Sequence, residues 1–310
     1  MPTIVTGGTS SISEEKKVEV QSSVPVTQAS MVSSEPTQTS SANAMIATPT
    51  IVNQTVPLVV FVGPPASGKS MILVRMAQYL FAHGYTIRTD PTFLNTAKYR
   101  KDCEEFANKL HTNIALDGTA EFILVDVYKD GVLIAKLLEA PGEDFFSVND
   151  PQKNSIVAPY LATIMTSNNP KTYVMLLDLD SKVSFRNDAS LRSSYAQRLL
   201  TQFYPRINQN RDQIVLLYNK IDTTMYGTIN GCHNLNGARK DAEMYYAPLF
   251  AGMKVSKLAG FLTVDNFEFK TFCTGMFAEQ MDNLGEIYQT YNVASDTYPE
   301  ELWKDIIRKW

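Results

Sequence analysis

Gly63, Gly68, Lys69 and Ser70 have the types and the spacing of a loop that binds phosphate. They form the string Gly-x-x-x-x-Gly-Lys-Ser, which follows the apolar residues 57–62 and precedes an apolar helical pattern. Glycines let the backbone wrap around an anion, and N–H groups at the start of a helix point at phosphate oxygens. In this motif, the P-loop, the lysine reaches the β- and γ-phosphates and the serine hydroxyl binds Mg²⁺. The residues expected to hold the phosphates are Gly63, Ala66, Ser67, Gly68, Lys69, Ser70 and Met71.

A second string with binding chemistry, Asn219-Lys220-Ile221-Asp222, directly follows the apolar run 214–218. A carboxylate at the end of a strand can accept hydrogen bonds from the N1–H and the N2 amino group of guanine, and adenine lacks both donors. Asn219 can bond the purine edge and tie this loop to the P-loop, while the stem of Lys220 can lie along the base. Together with the P-loop, the string predicts a guanine nucleotide, GTP or GDP with Mg²⁺, as the ligand.

Strands and helices that alternate along the chain must position these strings. We predict strands at 121–127 and 132–138, joined by a turn at Asp130-Gly131, and a helix at 91–112 with Asp90 as its cap. The other predicted strands are 57–62, 172–177, 213–218 and 267–273, and the other predicted helices are 69–82, 190–203, 238–253 and 299–309. This alternation predicts a three-layer α/β fold of the P-loop NTPase type, with a mostly parallel sheet and one antiparallel hairpin strand.

The composition of the 310 residues limits the partners and the location. A net charge of −4 provides no basic field for a nucleic acid or an anionic membrane, so none is expected as a partner. The three cysteines are scattered, which indicates neither a disulfide framework nor a zinc cluster, and we expect a cytoplasmic protein. The sequence has no stretch of 18 apolar residues and no secretory signal pattern, so we expect no membrane span.

Residues 1–55 differ in composition from residues 56–310. They contain no aromatic residue and are rich in Ser, Thr, Val, Gln and Pro. Such a segment buries too little apolar surface to offset chain entropy, so we expect a disordered tail ahead of one P-loop domain. A segment that binds or tethers a partner is the alternative.

A third string, Glu139-Ala140-Pro141-Gly142-Glu143, ends the second arm of the predicted hairpin. The order of P-loop, hairpin, acid-x-x-Gly and Asn-Lys-x-Asp resembles that of the translation-factor and Ras-like (TRAFAC) GTPases over residues 56–310. Within that class, the chain looks like a bacterial group that carries Leu-Glu-Ala-Pro-Gly-Glu and Tyr-Pro-x-x-Leu-Trp-Lys, here residues 138–143 and 298–304.

The resemblance implies roles for residues at matching positions. Gly142 would donate its N–H to the γ-phosphate and act as the hinge of the second switch, the segment that follows it. Glu139 stands where the class usually has the Asp that holds Mg²⁺ through water. Thr119 is the candidate for the threonine of the first switch that closes on Mg²⁺. Cys273 and Thr274 occupy the place of a Ser-Ala-Lys string that contacts the base, and only its backbone contact carries over.

Glu143 departs from the family pattern, which has Gln in Ras-like members to orient the attacking water. A carboxylate near the anionic γ-phosphate is disfavoured in its ionised form. With Lys69, Gly142 and Glu143 as the catalytic set, we therefore expect hydrolysis that is slow or stimulated by a partner. Arg192 and Arg198 are predicted on the solvated face of their helix, so neither is assigned to catalysis.

Three functions remain open from the sequence. The leading one is a GTP-binding switch with GTPase activity and a protein effector or activator. Glu139 and Glu143 favour a nucleotide-bound scaffold with negligible turnover. Asp178 and Asp180 favour an ATP-dependent kinase or ATPase, because an acid at the end of the strand beside the P-loop strand binds Mg²⁺ in other P-loop classes.

Overall fold

The described part of the chain reaches further toward the N-terminus than the predicted domain. The structure is a computed structural model that describes residues 49–115, 122–177, 188–257, 262–308 and 310. Residues before position 56 are bonded to the domain: the Thr50 N–H donates to the Phe93 carbonyl at 2.8 Å, and Asn169 donates to the Asn53 carbonyl at 3.2 Å. The folded domain therefore includes residues that we had placed in the tail.

A seven-stranded sheet forms the centre of the domain. The strands of the described residues, of which seven form this sheet, are β1 (Leu58–Val62), β2 (Thr86–Thr89), β3 (Ile123–Lys129), β4 (Val132–Glu139), β5 (Lys171–Leu177), β6 (Gln213–Tyr218), β7 (Gly227–Thr228), β8 (Gly231–Cys232), β9 (Lys254–Lys257), β10 (Leu262–Asp265), β11 (Glu268–Thr271), β12 (Gly275–Met281) and β13 (Ile287–Val293). The order in the sheet is β11-β6-β5-β1-β4-β3-β2. Within this sheet, as far as the structure describes it, only the pairings of β3 with β4 and with β2 are antiparallel. The predicted α/β fold, with a mostly parallel sheet and one antiparallel hairpin strand, is confirmed.

Helices connect the strands. They are α1 (Lys69–Ala82), α2 (Ala97–Lys109), α3 (Gly142–Phe145), α4 (Pro159–Thr166), α5 (Ala189–Arg198), α6 (Leu235–Tyr245), α7 (Ala247–Gly252) and α8 (Thr297–Ile307). β1, β5 and β6 are buried along their whole length, which is typical of parallel strands covered on both faces. In the described residues, no helix is long and apolar enough to cross a membrane.

The second helix begins later than the sequence indicated. Its cap is Thr96, whose hydroxyl accepts the Tyr99 N–H at 3.0 Å, and not Asp90. Asp90 instead pairs with the buried Lys136 of β4 at 3.1 Å and accepts a hydrogen bond from Thr92. The prediction of a helix from residue 91 was wrong because the Asp90 carboxylate serves a distant ion pair and not a helix start.

Two other predicted helices are interrupted. The one at 190–203 is α-helical only to Arg198 and continues as a π-helical turn, Leu199–Phe203. The one at 238–253 is divided into α6 and α7 at Tyr246, close to Pro248, whose ring and missing N–H do not fit a helix interior.

Candidate functional site

The P-loop connects the buried strand β1 to α1 in a conformation that few residues adopt. Ala66 and Gly68 both have positive φ angles, of 58° and 90°. At Gly68 a Cβ atom would lie 2.6 Å from the side-chain nitrogen of Asn219, so a larger residue has no room. Successive backbone N–H groups in such a turn form a concave site for an anion.

Lys69 is buried and folds back over the loop. Its amine donates to the carbonyls of Gly63 at 3.1 Å and Pro64 at 3.0 Å. Only 3% of its surface is exposed. The cation is therefore held at the loop that would hold the phosphates.

Ser70 and Glu139 bring a hydroxyl and a carboxylate together beside the P-loop. The Ser70 hydroxyl donates to Glu139 Oε1 at 2.5 Å. Glu139 is fully buried and ends β4, opposite Phe61 of β1 in the parallel register. Oxygen donors of this kind suit Mg²⁺. Elsewhere in the described residues, no group of three or more His, Cys, Asp or Glu side chains is placed to hold a metal.

Gly142 lies directly against the P-loop backbone. A Cβ atom at this position would be 2.4 Å from the Pro65 nitrogen and 2.7 Å from the Pro64 carbonyl carbon. Glu143 follows it in α3, is exposed, and lines the same cavity as Lys69. The start of α3 therefore packs on the loop that the sequence predicts for phosphate binding.

The Asn-Lys-x-Asp string also meets the P-loop. The Asn219 amide donates to the Ser67 carbonyl at 2.8 Å, and the Lys220 amine donates to the Ala66 carbonyl at 3.2 Å. Asn219 is 2% exposed, and its side-chain oxygen is buried without a partner within the described residues. The structure thus places the two strings side by side.

Asp222 lines the cavity with Cys273 behind it. Cys273 is fully buried, and burial, followed by the charge of the adjacent Asp222, raises the pKa of its thiol. The thiol therefore stays protonated beside the carboxylate of Asp222. Thr274 faces the cavity, whereas the Cys273 side chain is not part of its lining.

One cavity of about 760 Å³ collects most of the predicted residues. Those that line it are Ala66, Gly68, Lys69, Ser70, Met71, Gly142, Glu143, Asn219, Lys220, Asp222 and Thr274. Gly63, Ser67, Glu139 and Cys273 lie behind this lining. Thr119, Asp178 and Asp180 lie outside the described residues. A smaller cleft of about 290 Å³, at the opposite ends of β6 and β11, includes none of the predicted residues.

The cavity also includes residues that we did not predict from the sequence. These are Pro65, Ala115, Thr223, Gly275, Phe277 and Gln289. Phe277 and Gln289 belong to a hairpin of β12 and β13, a region to which we assigned no structure. The β-rich residues 287–293 after a Gly-containing turn at 282–286 are a hairpin signal that could have revealed it.

The prediction that Arg198 is solvated was wrong. Only 3% of it is exposed, and burial lowers the pKa of its guanidinium. It donates to four backbone carbonyls of the segment after Gly142, those of Asp144, Phe145, Lys153 and Ile156. A rigid fork of five donors suits carbonyls that point at it from several directions, and the helical spacing alone did not reveal this.

Arg192 is also buried, contrary to prediction. It is 9% exposed, and its guanidinium carbon lies 4.9 Å from the centre of the Tyr245 ring in α6. An aromatic ring attracts a cation at this distance, which favours a position between helices over one in solvent.

No known protein family matches the chain, and no curated protein matches its sequence. Among solved structures, it is similar to a protein assigned as nucleolar GTP-binding protein 1 from Plasmodium falciparum. The identity is 12% and the TM-score 0.38, over 84% of this chain and 90% of that chain.

The chain is also similar to two structures of the S. cerevisiae Ski7 GTPase-like domain. The one bound to GTP has 13% identity and a TM-score of 0.36, over 82% of this chain and 50% of that chain. The one bound to GDP and inorganic phosphate has 14% identity and a TM-score of 0.34, over 70% of this chain and 43% of that chain. The chain thus spans half or less of the Ski7 chains. Because these TM-scores are below 0.5, we take the fold from the strand order and argue function from the chain's own residues.

Proposed function

We propose that this protein binds GTP and GDP with Mg²⁺ and hydrolyses GTP slowly, as a molecular switch of the TRAFAC class. The observation that carries the proposal is the 2.8 Å hydrogen bond from Asn219 to the Ser67 carbonyl. It holds a string suited to guanine against a loop suited to phosphates, around one cavity. Each string alone occurs in other contexts, and their contact is what favours a guanine nucleotide.

The phosphate end of the site would use Lys69 and Ser70, which line the cavity, and Glu139, which lies behind them. The Lys69 amine would exchange the loop carbonyls for the β- and γ-phosphates, a stronger, charge-assisted contact. The Ser70 hydroxyl and the Glu139 carboxylate would hold Mg²⁺, with Thr119 as the proposed third contributor from the first switch. Magnesium, when bound, would neutralise charge that develops on the phosphates.

The base end would depend on Asp222. Its carboxylate would accept from the N1–H and the N2 amino group of guanine, while the Lys220 stem lies along the base. The buried Cys273 thiol lies beside the same carboxylate and stays protonated, so it adds no negative charge there. The backbone of Thr274 would contact the guanine oxygen.

The switch would operate through Gly142. Because Gly142 lies against Pro64 and Pro65, an anion bound in the P-loop would lie next to the start of the second switch. A γ-phosphate that accepts the Gly142 N–H would order the second switch, and hydrolysis would release it. We propose that a protein effector or activator in the cytoplasm binds one of these two states, the ordered or the released second switch, in preference to the other.

A scaffold that keeps its nucleotide is the second candidate, and the position of Glu143 favours it. The Glu143 carboxylate lines the cavity with Lys69, where a neutral amide would orient water without adding negative charge. Single-turnover hydrolysis of preloaded GTP distinguishes the two functions.

The Asp222→Asn variant tests the guanine assignment. We expect wild type to bind GDP at least 100-fold more tightly than ADP, because adenine offers neither donor to the carboxylate, and such sites discriminate by about 100-fold or more. The variant should lose this preference and bind xanthosine diphosphate better than GDP, because xanthine has an oxygen at C2 that accepts from an amide. Competition against a fluorescent GDP analogue measures all three affinities.

Asp130→Asn is the matched control. Asp130 lies in the exposed turn between β3 and β4 with φ of 50°, a conformation that asparagine adopts readily. This variant should bind like wild type. Equal displacement by ADP and GDP in wild type, or an unchanged preference in Asp222→Asn, would contradict the guanine assignment.

A further inference from the structure

The β12–β13 hairpin begins inside the nucleotide site. Thr274, proposed to contact the base, is followed directly by β12, and Gly275, Phe277 and Gln289 line the same cavity as Asp222. No linker separates the hairpin from the loop that faces the base. The hairpin is therefore placed to act on the nucleotide itself.

The base of the hairpin is fixed to α1. Tyr291 of β13 is 2% exposed and packs on Met71 and Ala115. Its hydroxyl donates to the Gln78 side chain at 3.2 Å. Because Met71 directly follows Ser70, the hairpin and the first turn of the P-loop helix form one packed unit.

The hairpin also pairs with the segment that leads toward Thr119. The Ala115 N–H donates to the Gln289 carbonyl at 2.8 Å, and the Tyr291 N–H donates to the Asn113 carbonyl at 3.0 Å. Residues 113–115 thus pair with β13 through one antiparallel bridge, between Ile114 and Thr290. These bonds fix β13, which carries Tyr291, beside Ala115 in the wall of the cavity.

Phe277 is the aromatic residue of that face in the cavity. It lies opposite Tyr291 in the hairpin register, with ring centres 5.6 Å apart. Even so, 44% of Phe277 is exposed. The ring is held in place, yet it is open toward a cavity that Lys220 and Asp222 also line. A large apolar ring in this position can stack on the flat face of a purine.

We propose that the Phe277 ring covers the nucleoside of the bound nucleotide, so that the hairpin forms one wall of the site. This proposal rests on the proposed function, because it takes the ligand to be a guanine nucleotide. The nucleoside is common to GDP and GTP. Phe277 therefore slows the release of both to the same extent, unlike Lys69, whose contribution depends on the phosphates.

Phe277→Ala tests the contact. We expect the dissociation constants of GDP and GTP to rise by the same factor, on the order of tenfold, because both nucleotides dissociate faster. Stopped-flow release of a fluorescent GDP analogue and of its GTP counterpart measures both. Met281→Ala is the matched control: Met281 lies on the same strand and face, is 66% exposed, and is not part of the cavity. It should release both nucleotides like wild type.

Phe277→Trp tests the contact even if the alanine variant unfolds. The variant should bind GDP within about threefold of wild type and should show a change in tryptophan emission on binding that wild type, with Trp303 and Trp310 alone, does not show. Release from Phe277→Ala within twofold of wild type, or no emission change in a Phe277→Trp protein that binds GDP, would overturn the proposal. Wild type that binds no guanine nucleotide would instead overturn the proposed function.

Discussion

At the scale of single residues, Glu143 is the side chain on which turnover would depend most directly under the proposed function. Its carboxylate and the Lys69 amine line the same cavity, so one anion and one cation face the place proposed for the terminal phosphates. Lys69 stabilises negative charge there, and Glu143 adds to it. Under the proposed function, the balance between them would decide whether GTP hydrolysis proceeds unaided or needs an activating partner.

We predict that Glu143→Gln hydrolyses bound GTP about tenfold faster than wild type, equal to roughly 1.4 kcal/mol of barrier. The amide would orient water without placing a second anion beside the γ-phosphate. Single-turnover hydrolysis of preloaded GTP measures the rate. Glu104→Gln, an exposed change on α2, should match wild type. A GTP half-life equal to that in buffer for both wild type and Glu143→Gln would favour the scaffold.

The parts of the candidate site that were predictable from the sequence are short strings in which the residue types and their spacing are tied to one function. The P-loop and the Asn-Lys-x-Asp string keep fixed spacings, because backbone geometry and guanine chemistry impose them. Phe277 and Ala115 have no such signal. Ala115 lines the cavity beside the pairing of residues 113–115 with β13, and Phe277 lines it from the β12–β13 hairpin; a pairing between distant segments leaves no local pattern.

At the scale of elements, Arg198 connects α5 to the segment after Gly142, the proposed second switch. Its guanidinium donates at 2.7 Å to the carbonyl of Asp144, at 3.1 Å to that of Lys153 and at 3.0 Å to that of Ile156. The chain between Asp144 and Ile156 forms no strand and only short helical turns, so it has few backbone bonds of its own. One side chain thus fixes a segment that would have to move in a switch.

We predict that Arg198→Lys lowers the free energy of unfolding by about 2–3 kcal/mol, because an ammonium cannot reach all four carbonyls and leaves buried acceptors unsatisfied. Urea denaturation measures this, and hydrogen exchange should show faster exchange at residues 144–156. Arg206→Lys, an exposed change, should alter stability by less than about 0.5 kcal/mol. Equal exchange in both variants would argue against the connection.

Element types were more predictable than element ends. β6 and α1 match the predicted ranges, because one is a continuous apolar run and the other begins at the lysine of the P-loop. The start of α2 was missed because Asp90 has the chemistry of a cap but is used by Lys136. Propensity does not reveal that a buried lysine 46 residues away requires a carboxylate.

At the scale of the whole molecule, the free energy of unfolding should depend on pH because a lysine is buried at the start of a central strand. Lys171 is fully buried at the start of β5, and its amine donates to the carbonyls of Ser167 and Asn169 at 2.7 and 2.8 Å. Burial lowers the pKa of Lys171 to about 8, with Asp212 opposing the shift and Arg211 adding to it. The charged form is therefore less favourable in the folded state than in the unfolded state.

The sign of the effect follows from proton binding. Between the folded pKa near 8 and the unfolded value of 10.5, the unfolded chain binds more protons, so stability rises with pH. We predict that the free energy of unfolding of wild type rises by about 1 kcal/mol from pH 8 to 9 relative to Lys171→Met. Urea denaturation at each pH measures it. The exposed Lys240→Met should keep the wild-type slope, and parallel curves for wild type and Lys171→Met would contradict the shift.

The bond between Asn219 and Ser67 joins residues 152 positions apart in the chain. Their loops follow β6 and β1, which are separated in the sheet by β5. The two loops therefore meet only after these three strands have paired, and such distant pairings form late in folding. A folding intermediate without them presents no complete site. A nucleotide that binds the complete site would then stabilise the finished protein by slowing its unfolding, and it would not act as a template that speeds folding.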